Sequence, residues 1–210
     1  MQVLVTAFEP FGGEHVNASL EAVRRLPSRI GTLDIRTVEL PTSYARSLPV
    51  LESAIARTLP EIVLCVGQAG DRAALCVERV AINVQDSRLA DNDGAMPIDV
   101  PVVPGAPAAY FATLPVKAAV LALQAAGLPA EVSNSAGTFV CNHVFYGLMH
   151  YVATQNPRLR GGLLHVPCLR EHAGKQAARD SSAMPMARAD IVRGIIVVLE
   201  TAAGREPGTP

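Results

Sequence analysis

The chain of 210 residues has no tryptophan and only four cysteines, none of them in a Cys-x-x-Cys pair. Cys65, Cys76, Cys141 and Cys168 also lack the Cys/His spacing typical of zinc sites, so they read as reduced thiols of a cytosolic protein. Basic residues are sixteen arginines and two lysines, scattered without a cluster, and the net charge is −1. That balance excludes a surface built for nucleic acid or anionic membrane. No apolar stretch reaches the ~20 residues needed to span a bilayer. The opening MQVLVTAF has neither the basic start nor the long apolar run of a signal peptide, which again leads us to expect a cytoplasmic protein. The glycine-bearing segment Phe8-Glu9-Pro10-Phe11-Gly12-Gly13 has neither Gly-x-Gly-x-x-Gly nor Gly-Lys-Ser/Thr, which argues against a phosphate cradle. Internal repeats and low-complexity tracts are absent.

What is present is a large apolar fraction: 50% of residues are hydrophobic and 18% charged, enough for one full core. We therefore expect a single domain over 1–210, with the tail Gly204 to Pro210 frayed. Short β-branched runs predict strands at Val3–Thr6, Ile35–Leu40, Ile62–Val66, Leu75–Val84, Ala130–Asn134 and Leu163–Val166. Helical patterns fall at Ala18–Leu26, Tyr44–Leu59, Val116–Ala126, Thr138–Thr154 and Pro185–Ala203. This alternation predicts an α/β fold, a three-layer α/β/α sandwich around an open, mostly parallel twisted sheet. The Pro-, Asp- and Gly-rich stretch Asp86–Ala109 reads as a long functional loop or an interface arm.

The segment SNSAGTFVCNHVF, Ser133 to Phe145, bears most directly on chemistry. It sets Cys141 three residues after Thr138, which is expected to be the N-cap of a helix. There the helix dipole and outward-pointing N–H groups favour thiolate, the form that attacks carbonyls. A small apolar residue packed under a helix is the commoner fate of a cysteine. Open α/β sheets place their sites at strand carboxyl ends, where Cys141, His165, Gln68 and the Phe8–Gly13 turn are all expected to converge. His165 is the better partner base than His143, which two positions along a helix turns away and which we expect on a polar face or in a cap. A core histidine satisfied by backbone is the alternative for His165. In LCVERVAINV, period-two alternation places Glu78 on the more apolar face with Cys76, Val80, Ile82 and Val84. A buried glutamate needs a partner, either a histidine or a structural cation. Phe8 and Phe11 could wall a flat, uncharged ligand or simply anchor their turn. Asp86, Asp91, Asp93 and Asp99 miss the EF-hand spacing and read as solvated loop carboxylates.

Together these segments resemble pyroglutamyl-peptidase I, also called pyrrolidone carboxyl peptidase, a family of cysteine peptidases. The matching pieces are FEPFGGEHVN (Phe8–Asn17), CVGQAG (Cys65–Gly70), ERVAIN (Glu78–Asn83), Arg88 with Asp91-Asn92, SAGTFVCNHVFYGLMH (Ser135–His150) and GGLLHVP (Gly161–Pro167). The resemblance implies an exopeptidase that removes N-terminal pyroglutamate through a Cys141-His165-Glu78 triad and a thioester acyl-enzyme. It further implies a pocket of Phe8, Phe11, Phe139, Val140 and Leu89, with Gln68 hydrogen-bonding the lactam and Arg88 near the nucleophile. No cofactor or metal is implied, nor any nucleic-acid or membrane partner; the expected form is a cytoplasmic homo-oligomer, a tetramer. Another α/β enzyme such as a nucleoside phosphorylase, or a catalytically silent binding or oligomerisation module that kept the pocket, are the competing readings.

Overall fold

The computed structural model describes residues 1–172 and 184–204. Nine strands and five helices follow in the order β1 (Gln2–Phe8), α1 (Ala18–Val23), β2 (Arg29–Ile30), β3 (Leu33–Leu40), α2 (Ser47–Thr58), β4 (Ile62–Gln68), β5 (Leu75–Glu78), β6 (Val80–Ile82), β7 (Ala109–Phe111), α3 (Val116–Ala125), β8 (Ala130–Ser133), α4 (Val140–Thr154), β9 (Arg160–Val166) and α5 (Arg188–Ala202), all within the described residues. Seven strands form one sheet in the order β2-β3-β1-β4-β9-β5-β8. The neighbours β3-β1, β1-β4, β4-β9 and β5-β8 are parallel, so the sheet is mostly parallel as expected. Strand β5 runs antiparallel to β9, with Cys76 opposite His165. The pair β5-β8 therefore points against the central strands.

The central strands are apolar on both faces because both are covered. On one side Val3, Val5, Ala7, Leu64, Val66 and Leu164 pack with α1, α3 and α5. On the other Leu4, Phe8, Val63, Cys65 and Leu163 pack with α2 and α4. Each such fully buried aliphatic side chain contributes roughly 1.5–3 kcal/mol. That is the three-layer sandwich, and it puts Cys65, Leu163, His165, Cys76 and Glu78 on the α4 face. Among the described residues no helix is long and apolar enough to cross a membrane.

Several boundaries depart from the sequence reading. The run Leu75–Val84 is two strands: the Arg79 N–H makes the last bond to β8, donating to Ser133 O at 2.8 Å, and its own carbonyl then turns to accept from Ala112 N. Beyond it β6 pairs with β7 in a separate two-stranded ladder, so the face alternation of β5 ends at Glu78. Helix α5 begins after Pro185–Ala187, because Met186 is held extended by bonds to Cys168 O and from Arg170 N. The expected frayed tail falls on 205–210, outside the described residues; Gly204 itself takes φ 74° in a turn. In the 86–109 segment, Asp91 is buried and accepts from the N–H groups of Tyr44 (2.8 Å), Asp93 (2.9 Å) and Ala95 (2.8 Å), so it is a structural anchor and not a solvated carboxylate. Asp93 in turn takes a two-pronged bond from Arg46, and that guanidinium holds its carboxyl down at about 2. Asn92 donates to Glu9 Oε1 at 2.9 Å, and Thr42 N–H donates to the same oxygen at 3.1 Å. These bonds lash the long loop to the Phe8–Gly13 turn.

Candidate active site

Two strands and one helix start deliver the reactive groups. His165 lies near the end of β9 beside Gly67 of β4, and Glu78 ends β5 on the same face. Both side chains are buried, and His165 Nδ1 sits 2.8 Å from Glu78 Oε1. The carboxyl-end argument holds for β1, β4 and β9 but fails for β5 and β8, which arrive from the opposite direction. The groups meet over the face of the sheet where β5 lies against β9.

Cys141 reaches the same place from α4. The helix starts two residues later than expected: Val140 is its first residue, Phe139 is the N-cap with no side-chain bond, and Thr138 Oγ1 donates to Asp86 O at 2.6 Å instead of capping. The first helical bond runs from His143 N to Phe139 O. By helix geometry the N–H groups of Val140, Cys141 and Asn142 precede it and have no acceptor within the helix. Cys141 and His165 share the space above Gly67, where a Cβ would stand 2.7 Å from Sγ and 3.3 Å from His165 Nε2. Burial works against a charged His165, but contact with the Cys141 sulfur and the Glu78 carboxylate outweighs it, and its pKa is pushed up to about 9. These contacts thus favour the protonated ring. The other sulfurs are different: burial pushes Cys65 and Cys76 up to about 12 and raises Cys168 as well. Only Cys141 among the four is partly exposed.

A cavity of about 190 Å³ opens beside the sulfur, lined by Cys141 and His165 together with Phe8, Phe11, Gln68, Phe139 and Val140. That is smaller than the ~300 Å³ at which pockets for drug-sized ligands begin, so it suits one residue-sized group. Phe139 stacks tilted on Phe11 at 5.7 Å and edge-on to Tyr44 at 5.8 Å, giving the wall an aromatic backing. Gln68 uses Oε1 to accept from Ala18 N–H at 2.6 Å, which leaves its NH2 as the group available for a ligand. Arg88 and Leu89 are not brought to this cavity. They are exposed and line an adjoining depression, which shares Phe139 with the cavity, together with Asp86, Ser87 and Thr138; there Ser87 Oγ closes a turn onto Leu89. Sequence reasoning missed Asp71 and Arg72 at the cavity rim, and Asn17 and Thr42 in its lining. The GQAGDR stretch directly after β4 was the available signal, since loops after sheet strands carry sites. It also missed Tyr44. Among the described residues no three His, Cys, Asp or Glu side chains gather as metal ligands.

His143 is a correction. It is not on a polar face but buried, edge-on to Tyr44 at 5.4 Å, with no partner for either ring nitrogen among the described residues. Burial drops its pKa to about 4, so it is neutral in the fold and carries a proton more readily once unfolded. Stability is then full above pH 6.5 and falls as pH drops from 6.5 towards 4, by about 3 kcal/mol in all.

The chain matches the family model described as Pyroglutamyl peptidase over residues 1–205. It is 50% identical over 205 residues to pyrrolidone-carboxylate peptidase 1 of Ralstonia nicotianae, covering 97% of this chain and 94% of that one. It is 49% identical over 200 residues to pyrrolidone-carboxylate peptidase 1 of Streptococcus pneumoniae, covering 95% and 92%. The crystal structure of Bacillus amyloliquefaciens pyroglutamyl peptidase I superposes with a TM-score of 0.92 at 42% identity, covering 99% of each chain. A mutant pyrrolidone carboxyl peptidase from the hyperthermophile Pyrococcus furiosus gives 0.93 at 36% identity, covering 97% and 99%.

Thermal unfolding followed from pH 7 to pH 4 in the parent and in His143→Phe tests the buried histidine: the parent should lose more stability than the variant across that interval. Parallel curves would show that His143 does not titrate as its burial requires.

Proposed function

Because this chain belongs to the pyroglutamyl peptidase family, we propose that Cys141, His165 and Glu78 are the nucleophile, acid-base and orienting carboxylate with which it releases N-terminal pyroglutamate from peptides. It is a cysteine peptidase, a hydrolase. The observation that carries the assignment of roles is the Glu78–His165–Cys141 contact series beside a cavity with room for one residue.

Glu78 holds Nδ1, so Nε2 is the ring nitrogen left to exchange protons with sulfur and substrate. The Cys141 thiolate attacks the carbonyl carbon joining pyroglutamyl to the next residue. The N–H groups at the start of α4 face the developing oxyanion, one such donor being worth about 3 kcal/mol. The C–N bond breaks as His165 Nε2–H gives its proton to the leaving amine, and a thioester remains. His165, now neutral, takes a proton from water; the hydroxide adds to the thioester, pyroglutamate leaves and the thiolate returns. The lactam is neutral and flat, which suits Phe8, Phe11, Phe139 and Val140 as walls, and its ring carbonyl is an acceptor for Gln68 NH2. Arg88 and Leu89, which the family likeness also carries over, line a depression that adjoins the cavity through Phe139, with Leu89 beside Gly12.

The same reading makes residues 1–210 one peptidase domain, cytoplasmic, working as a homo-oligomer and by family likeness a tetramer. The exposed Met96, Ile98 and Val100 on the 86–109 arm support an interface there.

Release of a chromophore from a pyroglutamyl amide should vanish in Cys141→Ala. In Glu78→Gln, kcat/KM should fall by roughly 10²–10⁴-fold, and the alkaline limb of its pH profile, expected near the His165 value of about 9, should move to lower pH. Full turnover in Cys141→Ala, or an unmoved limb in Glu78→Gln, would remove those residues from their roles. In size-exclusion chromatography the protein should elute well above the mass of one 22.1 kDa chain; elution as a monomer would contradict the oligomer.

A further inference from the structure

The thiol and the imidazole both rest on a position that has no side chain. Gly67 lies in β4 opposite His165 of β9, one residue before Gln68. A Cβ there would stand 2.7 Å from Cys141 Sγ, 3.1 Å from His165 Cδ2 and 3.3 Å from His165 Nε2. Real Cβ atoms essentially never come within 3.0 Å of a non-bonded heavy atom, so the sulfur would have to move. His165 is held from behind by Glu78, and Cys65 occupies the same face of β4 two residues earlier, buried. The open side is the cavity, and a thiol turned that way leaves the imidazole and enters the volume meant for the substrate.

Gly67 does not carry a backbone conformation closed to other residues, since it is an ordinary strand residue without the positive φ of Gly12 or Gly13. Glycine weakens a strand and offers nothing to pack. In a strand whose other residues are Ile, Val, Leu, Cys, Val and Gln, close approach explains its place here. We propose that Gly67 is a positioning residue for the reaction. By withholding a side chain it seats the Cys141 sulfur against the β4 backbone and sets its contact with His165. This rests on Cys141 and His165 being the reacting pair.

The test is Gly67→Ala, measured alone and in a Cys141→Ala background. In the single variant the pyroglutamyl amide assay should show kcat/KM lower by about a hundredfold, the usual consequence of a ~1 Å misplacement. Alkylation of Cys141 by iodoacetamide at pH 7 should slow in step, a readout that a merely structural glycine would not move. Stability supplies the second arm as a double-mutant cycle. Adding the methyl group should lower the thermal midpoint when the sulfur is present and lower it less, or raise it, when Cys141 is alanine and the 2.7 Å encounter is gone. Should Gly67→Ala fail to fold with Cys141 present yet fold in Cys141→Ala, the crowding is confirmed. Equal loss in both backgrounds, or unchanged turnover and alkylation, would overturn the role of Gly67. An inactive parent enzyme would instead overturn the reading on which it rests.

Discussion

The contact on which the rest of this structure depends is the 2.8 Å approach of the Glu78 carboxylate to the His165 ring in a place closed to water. Burying a carboxylate is costly unless it is paired, and breaking such a pair by removing one partner typically costs 3–5 kcal/mol. The pair is therefore a structural clamp between β5 and β9 and, with the Cys141 sulfur, favours the charged form of His165. It also accounts for the choice of sulfur. Burial forces Cys65, Cys76 and Cys168 towards the neutral thiol, while Cys141 borders the imidazolium and the cavity.

The sheet is arranged around that contact. If β5 ran with the central strands, Glu78 would project from their carboxyl ends; running against β9, it stops mid-sheet with its side chain level with the histidine on the α4 face. The exit at Arg79 then frees the following residues to pair in the β6-β7 ladder, and Asn142 of α4 grips that ladder through Ile82 N–H, Ile82 O and Val84 O. The residue next to the proposed nucleophile thus fixes the helix to the segment that leaves Glu78. Gly67 supplies the remaining condition, a gap in β4 wide enough for a sulfur atom.

Much of this was legible in the chain. Doubly covered parallel strands announce themselves as continuous apolar runs, so β1, β4 and β9 were readable, and the period of two in LCVE placed Glu78 on the right face. What escaped was decided by distant partners. Nothing local in Glu78-Arg79-Val80 says that the Arg79 carbonyl will be taken by Ala112 and the chain handed on to a second ladder. Thr138 has the side chain of an N-cap but spends it on Asp86 fifty-two residues away, so the helix begins later. Asp91 and His143 look like surface residues by type and are buried because loop and helix close over them. The family likeness carried over Arg88 and Leu89, whose place depends on how a long loop folds, and was silent on Tyr44, Asp71 and Arg72, which the fold brings to the cavity or its backing.

The charge on His165 is the most direct point at which to test the account. Nuclear magnetic resonance of selectively labelled histidine, with His165 identified by its loss in His165→Gln, reports the ring's protonation across pH. His165 should be an imidazolium at pH 7 and lose its proton near pH 9. A ring already neutral at pH 7 would contradict it.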